Sequence, residues 1–408
     1  MELYKEDIDN QLNITNNPVF EFLAISDIHL KHSYSIETKR LEKAIKLGYK
    51  HTKNLDLIVV SGDYSDGGHD PQYAQFIKAI NDFVDPKTQI IINHGNHENG
   101  RFESDSHEYF REIFGYGIDY MWKINDYYFI TLGVHHGDKY IESQAKWLNK
   151  KLEIANNDNP NKPIFVLTHY PVYGTVVSND HNSKRTFSEV LKKYPQVVNI
   201  SGHTHQALND PRVIHQEDFT SYNNGSLSYL IINHYEFDSD YDLISKGHFS
   251  IFKIYDDNRI VIERHIIDDS INEPTSTKIP NDFIIHPSLG KQGFTYLPRY
   301  FDDGATPSFP TDTTLYITEE NNELYLNFTQ ATDKIGVYYY LVSFTDLNTN
   351  TLVYETKYHA QFYENEVPKI LKSRINTDLP EGKNYEIKVV AYNFANRASE
   401  EKSFITFL

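Results

Sequence analysis

The chain has 408 residues and a formal net charge of −18, with 39% hydrophobic and 14% aromatic residues. This length exceeds one ordinary hydrophobic core, so two domains are expected, and the composition is that of a globular rather than a disordered protein. The acidity, without a dense run of Lys or Arg, argues against a nucleic-acid polymer as partner, and zero cysteines exclude disulfides, thiolate metal sites and cysteine nucleophiles.

From residue 20 to residue 200, short apolar runs alternate with amphipathic stretches. This alternation is typical of strands joined by crossover helices in an α/β fold. The runs that predict strands are residues 20–25, 57–60, 90–92, 128–132, 164–167 and 197–200. Apolar residues at helical spacing predict packing helices around residues 41–47, 73–80 and 145–152.

The pattern changes to strand-rich segments over residues 228–267, which predicts an antiparallel sheet that closes the first domain. A proline-containing stretch without periodicity follows, and its end predicts the domain boundary. Beyond it only strand signals occur, at residues 314–317, 324–328, 337–344, 352–358, 385–392 and 403–407. We therefore predict a first domain over residues 1–310 and a small all-β sandwich over residues 311–408.

Five short polar clusters each follow the end of an apolar strand. They are Asp27-Ile-His29, Gly62-Asp63-Tyr-Ser-Asp66, Gly95-Asn96-His97-Glu98, Thr168-His169-Tyr-Pro171 and Gly202-His203-Thr-His205. One such cluster alone is ordinary turn or cap chemistry, but functional groups in α/β folds gather at the carboxyl ends of strands. The ordered set therefore predicts a convergent site with ligands for two metal ions, reached through tight turns at the three glycines.

The order DxH, GDxxD, GNH(D/E), a lone His and GHxH resembles that of the calcineurin-like metallophosphoesterase superfamily, over about residues 20–300. The resemblance implies a four-layer α/β fold, a β-sandwich flanked by helices. It also implies one metal ion held by Asp27, His29 and His205, a second held by Asn96, His169 and His203, and a bridging Asp63. Such carboxylate, carboxamide and imidazole ligands suit two divalent ions of Mn, Fe or Zn.

The same resemblance implies the roles of further residues. A hydroxide held between the two ions would attack phosphorus, and His97, which is not counted as a ligand, would protonate the leaving oxygen. Asp66 is expected to orient a ligand. His136, His181 and Arg185 are weaker candidates for contacts to the substrate, since most such residues are surface or core groups.

The segment of residues 379–393 resembles the tyrosine-corner strand of fibronectin type III domains. Purple acid phosphatases combine a similar catalytic domain with a fibronectin-like domain. They place that domain first, however, and carry a Tyr iron ligand in a GDxxY motif where this chain has Asp66. A Tyr–iron site is therefore not expected.

These observations predict a metal-dependent phosphoesterase for a small phosphomonoester or phosphodiester. A protein phosphatase stays open as an alternative, as does a binding or adhesion protein with a vestigial metal site. The opening residues lack an apolar core typical of signal peptides, and no stretch reaches transmembrane length. This favours either the cytoplasm or a chain without its signal peptide; because fibronectin-type domains of bacterial enzymes are commonly extracellular, a secreted or cell-surface location is the expectation.

Overall fold

The computed structural model describes residues 17–100, 105–137, 139–176, 185–232, 243–297, 302–377 and 379–408. The described residues divide into two compact units. The first comprises residues 17–208, 213–232 and 243–297, and the second comprises residues 209–212 and 302–408, within these described ranges.

Residues 302–310 belong to the second unit, although the sequence pattern assigned them to the first domain. The backbone of Ser308 pairs with that of Thr332, and Phe309 packs against the core of the second unit. These contacts could not be predicted because the stretch contains prolines and shows no regular apolar spacing. The predicted division into a catalytic domain and a separate β domain stays a prediction.

The first unit alternates strands and helices along its amino-terminal part. Its strands are β1 (Phe20–Ile25), β2 (Leu57–Val60), β3 (Gln89–Ile92), β4 (Tyr120–Ile124), β5 (Tyr127–Leu132), β6 (Ile164–Thr168), β7 (Val197–Ser201), β8 (Ile214–Gln216), β9 (Thr220–Asn223), β10 (Leu230–Ile231), β11 (Leu243–Ile244), β12 (His248–Ile254), β13 (Ile260–Ile267), β14 (Ser276–Lys278) and β15 (Phe283–Ile285). Its helices are α1 (Ile36–His51), α2 (Asp70–Phe83), α3 (Ser106–Phe114), α4 (Glu142–Asp158) and α5 (Arg185–Leu191). Short 3₁₀ turns lie at His97–Gly100 and Pro287–Gly293.

Two large mixed sheets form the first unit, and β10 and β11 pair as a separate two-stranded sheet. One has the strand order β14-β13-β12-β1-β2-β3, with β15 also paired to β13. The other has the order β4-β5-β6-β7-β9-β8. Strands β1 to β3 are mutually parallel, as are β5, β6, β7 and β9, so the carboxyl ends of each set lie at one edge of their sheet. The α/β class predicted from the sequence is confirmed.

The two sheets pack face to face through aromatic side chains. The ring of Phe22 on β1 lies 5.8 Å from that of Phe129 on β5 and 5.3 Å from that of Phe165 on β6. Alternate residues of the same strands face the other way, as expected for a strand period of two. Those residues pack against α1, α2 and α3 on one sheet and against α4 and α5 on the other. The layers follow the order helices, sheet, sheet, helices.

From residue 302 onward, the second unit contains only strands among its described regular elements. They are β16 (Leu315–Glu320), β17 (Glu323–Thr329), β18 (Val337–Asp346), β19 (Thr351–His359), β20 (Ile370–Arg374), β21 (Asn384–Asn393) and β22 (Lys402–Phe407). They form two antiparallel sheets, β16-β17-β20 and β19-β18-β21-β22. Phe328 and Tyr340, one from each sheet, meet in the core with ring centroids 4.7 Å apart. The described part of the chain contains no helix long and apolar enough to cross a bilayer.

Candidate metal centre

The five polar clusters follow β1, β2, β3, β6 and β7, and backbone hydrogen bonds tie their turns together. The N–H of Asp27 donates to the carbonyl of Gly62 (3.1 Å), and the N–H of Gly202 donates to the carbonyl of His169 (2.9 Å). Turns that are far apart in sequence therefore lie side by side at the strand ends.

Five of the seven predicted ligand residues have a left-handed backbone. Their φ angles are 50° for Asp27, 50° for His29, 51° for Asp63, 69° for His203 and 51° for His205. For residues other than glycine this conformation costs roughly 1 to 3 kcal/mol each and persists only where surrounding contacts impose it. Backbone strain concentrated at the residues of one cluster is typical of a functional site.

Asp27, His29 and His205 form one group of converging ligand atoms. His205 Nε2 lies 3.3 Å from Asp27 Oδ1, and His29 Nε2 lies 3.1 Å from His205 Nε2. His205 Nδ1 donates to the carbonyl of Tyr229 at 2.9 Å, which turns Nε2 towards the group. Two imidazole nitrogens that face each other beside a carboxylate fit a shared cation.

Asp63, His169 and His203 form a second group, and Asn96 adjoins it. His169 Nε2 lies 3.1 Å from Asp63 Oδ2 and 3.0 Å from Asn96 Oδ1. His169 Nδ1 donates to the carbonyl of Ser61 at 2.9 Å, so its Nε2 also points inward. The structure thus brings together all seven residues predicted as metal ligands.

Asp63 also belongs to a third group, with His29 and His97. Its Oδ2 lies 3.9 Å from His29 Nε2 and 4.0 Å from His97 Nε2. The position of this carboxylate in two of the groups fits the predicted bridge between two ions. The donors are oxygen and imidazole nitrogen throughout, a set that suits Mn, Fe or Zn.

His97 lies at the open side of the groups, with its side chain 37% exposed. Its Nδ1 donates to the carbonyl of Asp66 at 2.9 Å, which directs Nε2 towards Asp63. Burial lowers the pKa of His97, but the Asp63 charge and the Asp66 carbonyl outweigh it and hold the pKa above the ordinary value. The residue is therefore placed to carry a proton at the edge of the site.

Asp63 and His169, both buried in the site, form a charged pair. Burial raises the pKa of Asp63, but the neighbouring His169 charge outweighs it and holds this pKa well below the usual range. Burial lowers the pKa of His169, but Asp63 raises it to about 10. Without metal, His169 is thus protonated at neutral pH and its charge offsets that of the buried carboxylate.

Asp66 lies beside His29, one of the predicted ligand residues. Its Oδ1 is 3.5 Å from His29 Nδ1 and 2.9 Å from Lys31 Nζ. The contact with His29, ahead of that with Lys31, holds the pKa of Asp66 below the ordinary value. An ionised Asp66 at this position can orient the His29 ring.

The three weaker candidates lie elsewhere or cannot be placed. His136 belongs to none of the three groups among the described residues, and its ring stacks on that of His107 with centroids 4.0 Å apart. Arg185 begins α5 and donates to the hydroxyl of Tyr173 at 2.7 Å. His181 lies outside the described residues. Contacts of these residues to a substrate stay predictions.

Glu98 is a supporting residue to which the sequence analysis gave no role. Its buried carboxylate accepts hydrogen bonds from the N–H groups of Asp63 (3.0 Å), Ser65 (2.9 Å) and Gly95 (2.8 Å). Burial, followed by the charge of Asp63, raises the pKa of Glu98 to about 7. Its place at the end of the Gly95-Asn-His-Glu98 motif was the available signal.

The glycines of the motifs are needed mainly for space. Gly62 has a φ of 98°, as predicted for a backbone-permissive turn, but neither Gly95 nor Gly202 has a positive φ. A Cβ on Gly95 would overlap the carboxylate of Asp63, and one on Gly202 would overlap the side chains of Ser26 and Asp27. At these two positions the missing side chain makes room for the ligand carboxylates.

Comparison with known proteins finds a match to a protein family. The family described as calcineurin-like phosphoesterase matches residues 20–207, which include all five clusters. A protein of Arcobacter nitrofigilis described as a probable glycerophosphodiester phosphodiesterase, GpdQ, is 26% identical over 200 residues, which are 45% of this chain and 70% of that protein.

Solved structures resemble the chain more distantly. A purple acid phosphatase from yellow lupin (Lupinus luteus) seeds gives a TM-score of 0.49 at 12% identity, over 67% of this chain and 56% of the lupin chain. The chain thus spans little more than half the length of that enzyme. A cold-active protein-tyrosine phosphatase of a psychrophilic Shewanella species gives a TM-score of 0.28 at 15% identity, over 66% of this chain and 82% of that chain.

Replacing Gly95 with Ala tests the packing of the Asp63 carboxylate. The added Cβ would displace Asp63, so we expect Mn²⁺ affinity, measured by isothermal titration calorimetry, to fall about tenfold or more. Gly117→Ala is the matched control, because a Cβ there meets no atom within 4 Å. Unchanged affinity in Gly95→Ala would contradict the assigned role of Asp63.

The pKa of His169 predicts that metal uptake is linked to proton release. A metal at Nε2 must displace the proton that His169 holds below its pKa of about 10. We therefore expect Mn²⁺ affinity to rise by about tenfold per pH unit between pH 7 and 8.5, with about one proton released. Calorimetry in two buffers of different ionisation enthalpy measures the proton. Affinity independent of pH would contradict this linkage, and His215→Gln should leave it unchanged.

Proposed function

We propose that this chain, whose residues 20–207 match the calcineurin-like phosphoesterase family, cleaves phosphomonoesters or phosphodiesters with two divalent ions held at the strand ends. The observation that carries this proposal is the chain of three groups of ligand atoms, each group within 4.8 Å: Asp63 is shared by two of them, and His29 joins the third. When bound, such ions lower the pKa of a water and offset the charge of phosphoryl oxygens.

The ligand residues divide into two sets around Asp63. Asp27, His29 and His205 would hold one ion. The other ion would be held by Asn96, His169 and His203. The carbonyls that accept from the Nδ1 atoms of His169 and His205 fix the ring orientation, so both Nε2 atoms are presented to the site before metal arrives. Preset ligands reduce the reorganisation that binding requires.

The cations would also resolve an electrostatic conflict. The chain carries a formal net charge of −18, which by itself repels an anionic phosphoester. Two divalent ions in the cluster of buried acids reverse the local field where the substrate binds. Substrate attraction is therefore expected to depend on the metals rather than on an extended basic surface.

His97 would act as the general acid. Its Nδ1 is occupied by the carbonyl of Asp66, and its Nε2, near Asp63, has a proton available because the pKa is raised. A proton delivered from Nε2 to the leaving oxygen avoids the expulsion of a free alkoxide. The partial exposure of His97 leaves room for a substrate beside it.

A small phosphodiester is the first substrate class to examine. The Arcobacter protein is described as a probable glycerophosphodiester phosphodiesterase, and its similarity covers 45% of this chain, which supports a diester of small size. The absence of dense basic runs in the sequence argues for a small rather than a polymeric substrate.

We further propose a fibronectin type III-like domain for the carboxyl-terminal part. The three-stranded and four-stranded sheets support this interpretation. So does the hydroxyl of Tyr385, which donates to the carbonyl of Pro380 at 2.8 Å in the manner of a tyrosine corner. A secreted or cell-surface location stays a proposal that follows from this interpretation.

Metal removal and reloading tests the proposed function. We expect chelator-treated protein to lose hydrolysis of p-nitrophenyl phosphate and bis-p-nitrophenyl phosphate, and Mn²⁺ to restore it for at least one ester. The ester with the higher kcat/KM separates phosphatase from phosphodiesterase. No turnover of either ester after reloading, with metal bound, would contradict the proposal.

Leaving-group dependence tests His97. In His97→Gln we expect kcat to fall on the order of 10² to 10⁴-fold for esters of alkyl alcohols, whose leaving oxygen needs a proton, and far less for p-nitrophenyl esters. His215→Gln is the control, since His215 lies on β8 and outside the three ligand groups. Equal losses for both kinds of ester in His97→Gln would exclude the general-acid role.

A further inference from the structure

One arginine is buried below the metal centre and makes hydrogen bonds through each of its guanidinium nitrogens. Arg40, on α1, is 1% exposed. Its Nε and Nη2 donate to Asp269 Oδ2 at 2.9 and 2.6 Å, and Nη2 also donates to Ser245 Oγ at 3.1 Å. Its Nη1 donates to the carbonyls of Ser228 and Leu227. The latter two residues lie in a segment, residues 226–231, that we call the support loop.

The support loop holds the backbone on which Asp27 is carried. The N–H of Leu227 donates to the carbonyl of Ser26 at 3.0 Å, and the N–H of Ser228 donates to that of Asp27 at 3.1 Å. The hydroxyl of Ser226 donates to the same Asp27 carbonyl at 3.0 Å. The left-handed conformation of Asp27 is therefore imposed partly from this loop.

The same loop holds the ring of His205. The carbonyl of Tyr229 accepts from His205 Nδ1 at 2.9 Å, and the ring of Tyr229 stacks on the imidazole with centroids 4.1 Å apart. The N–H of Ile231 donates to the carbonyl of His205 at 2.9 Å. Asp27 and His205 thus depend on one short segment for their placement.

We propose that Arg40 is a positioning residue for one half of the metal centre, because it fixes the support loop that holds Asp27 and His205. This inference rests on the proposed function, since it concerns the ion that Asp27, His29 and His205 would hold. The side chains of Asn96 and His169 hydrogen-bond to each other, and His169 Nδ1 donates to the carbonyl of Ser61, whereas His203 donates its N–H to the Asp27 carboxylate. Removal of Arg40 should therefore weaken mainly the metal position of Asp27, His29 and His205.

An arginine suits this position for a physical reason. Buried carbonyls outside regular secondary structure need donors, and those of Leu227 and Ser228 obtain them from Nη1. A planar guanidinium can bind these carbonyls with one nitrogen and the Asp269 carboxylate with the others. A lysine ammonium is a compact point charge and cannot span both sets.

A lysine on the same helix offers a matched control. Lys43 is 8% exposed and donates to the carbonyls of Asp268 and Ile271, both at 2.7 Å. It anchors α1 to the segment that contains Asp269, and the acceptors of both hydrogen bonds lie outside the support loop. Lys43→Met therefore removes a buried cation from α1 but leaves the hydrogen bonds between Arg40 and the support loop in place.

The test measures the number and affinity of bound Mn²⁺ ions in the full chain by equilibrium dialysis and electron paramagnetic resonance. We expect Arg40→Met and Arg40→Lys to lose at least tenfold in affinity for one of two ions, as is usual when a residue that orients ligands is removed. The spectrum should change from that of a coupled pair to that of an isolated ion. Lys43→Met should bind both ions like the unaltered chain.

Folding of the variants is measured separately from metal binding. Both tryptophans of the chain, Trp122 and Trp147, lie in the first unit, so their fluorescence reports its unfolding by denaturant without metal. If Arg40→Met does not fold, Arg40→Lys decides the question. Arg40 variants that fold and keep two ions at unchanged affinity would overturn the inference, as would equal weakening of both ions.

Metal binding by the unaltered chain separates a wrong metal centre from a wrong role for Arg40. If the unaltered chain binds no Mn²⁺, the proposed metal centre is wrong and the role of Arg40 falls with it. If the unaltered chain binds two ions and hydrolyses phosphoesters while the Arg40 variants do the same, only the role of Arg40 is wrong.

Discussion

The buried carboxylate of Asp63 is the group on which the arrangement of the site depends. It is 1% exposed, and a carboxylate in that position costs several kcal/mol unless cations or donors surround it. Its Oδ1 accepts from the N–H of His97 at 2.9 Å, and its Oδ2 lies 3.1 Å from His169. A protonated His169 offsets the charge in the metal-free protein. In the proposed active form divalent ions replace that proton, so the same electrostatic demand that raises the pKa of His169 also creates the affinity for metal.

The backbone, and not the side chains alone, fixes the positions of the predicted ligands around Asp63. Parallel strands from two sheets end at one place, and the turns after them adopt strained left-handed conformations that point the ligands inward. Glu98 holds the turn of Asp63 from one side, while the support loop holds Asp27 and His205 from another. Gly95 and Gly202 leave the space that the two ligand carboxylates occupy. Local strain is thus balanced by hydrogen bonds that come from distant parts of the chain.

The convergence of the seven predicted ligand residues could be anticipated from sequence because each follows a short apolar strand in a recognisable motif, and strand ends converge in α/β folds. Arg40 could not, because its partner Ser228 is 188 positions away and no motif links them. Strand β20 was missed since only Leu371 of its five residues is buried, which leaves no apolar alternation to detect. His136 was a candidate for a substrate contact because of its place near a strand end; it lies in none of the three groups among the described residues, and that contact stays a prediction.

Anomalous X-ray diffraction from crystals grown with Mn²⁺ tests the central claim most directly, because it locates the ions without reference to activity. The account predicts two anomalous peaks that flank Asp63, one at Asp27, His29 and His205 and the other at Asn96, His169 and His203. A single peak, or peaks away from Asp63, would contradict the two-ion arrangement and the bridging role of this carboxylate.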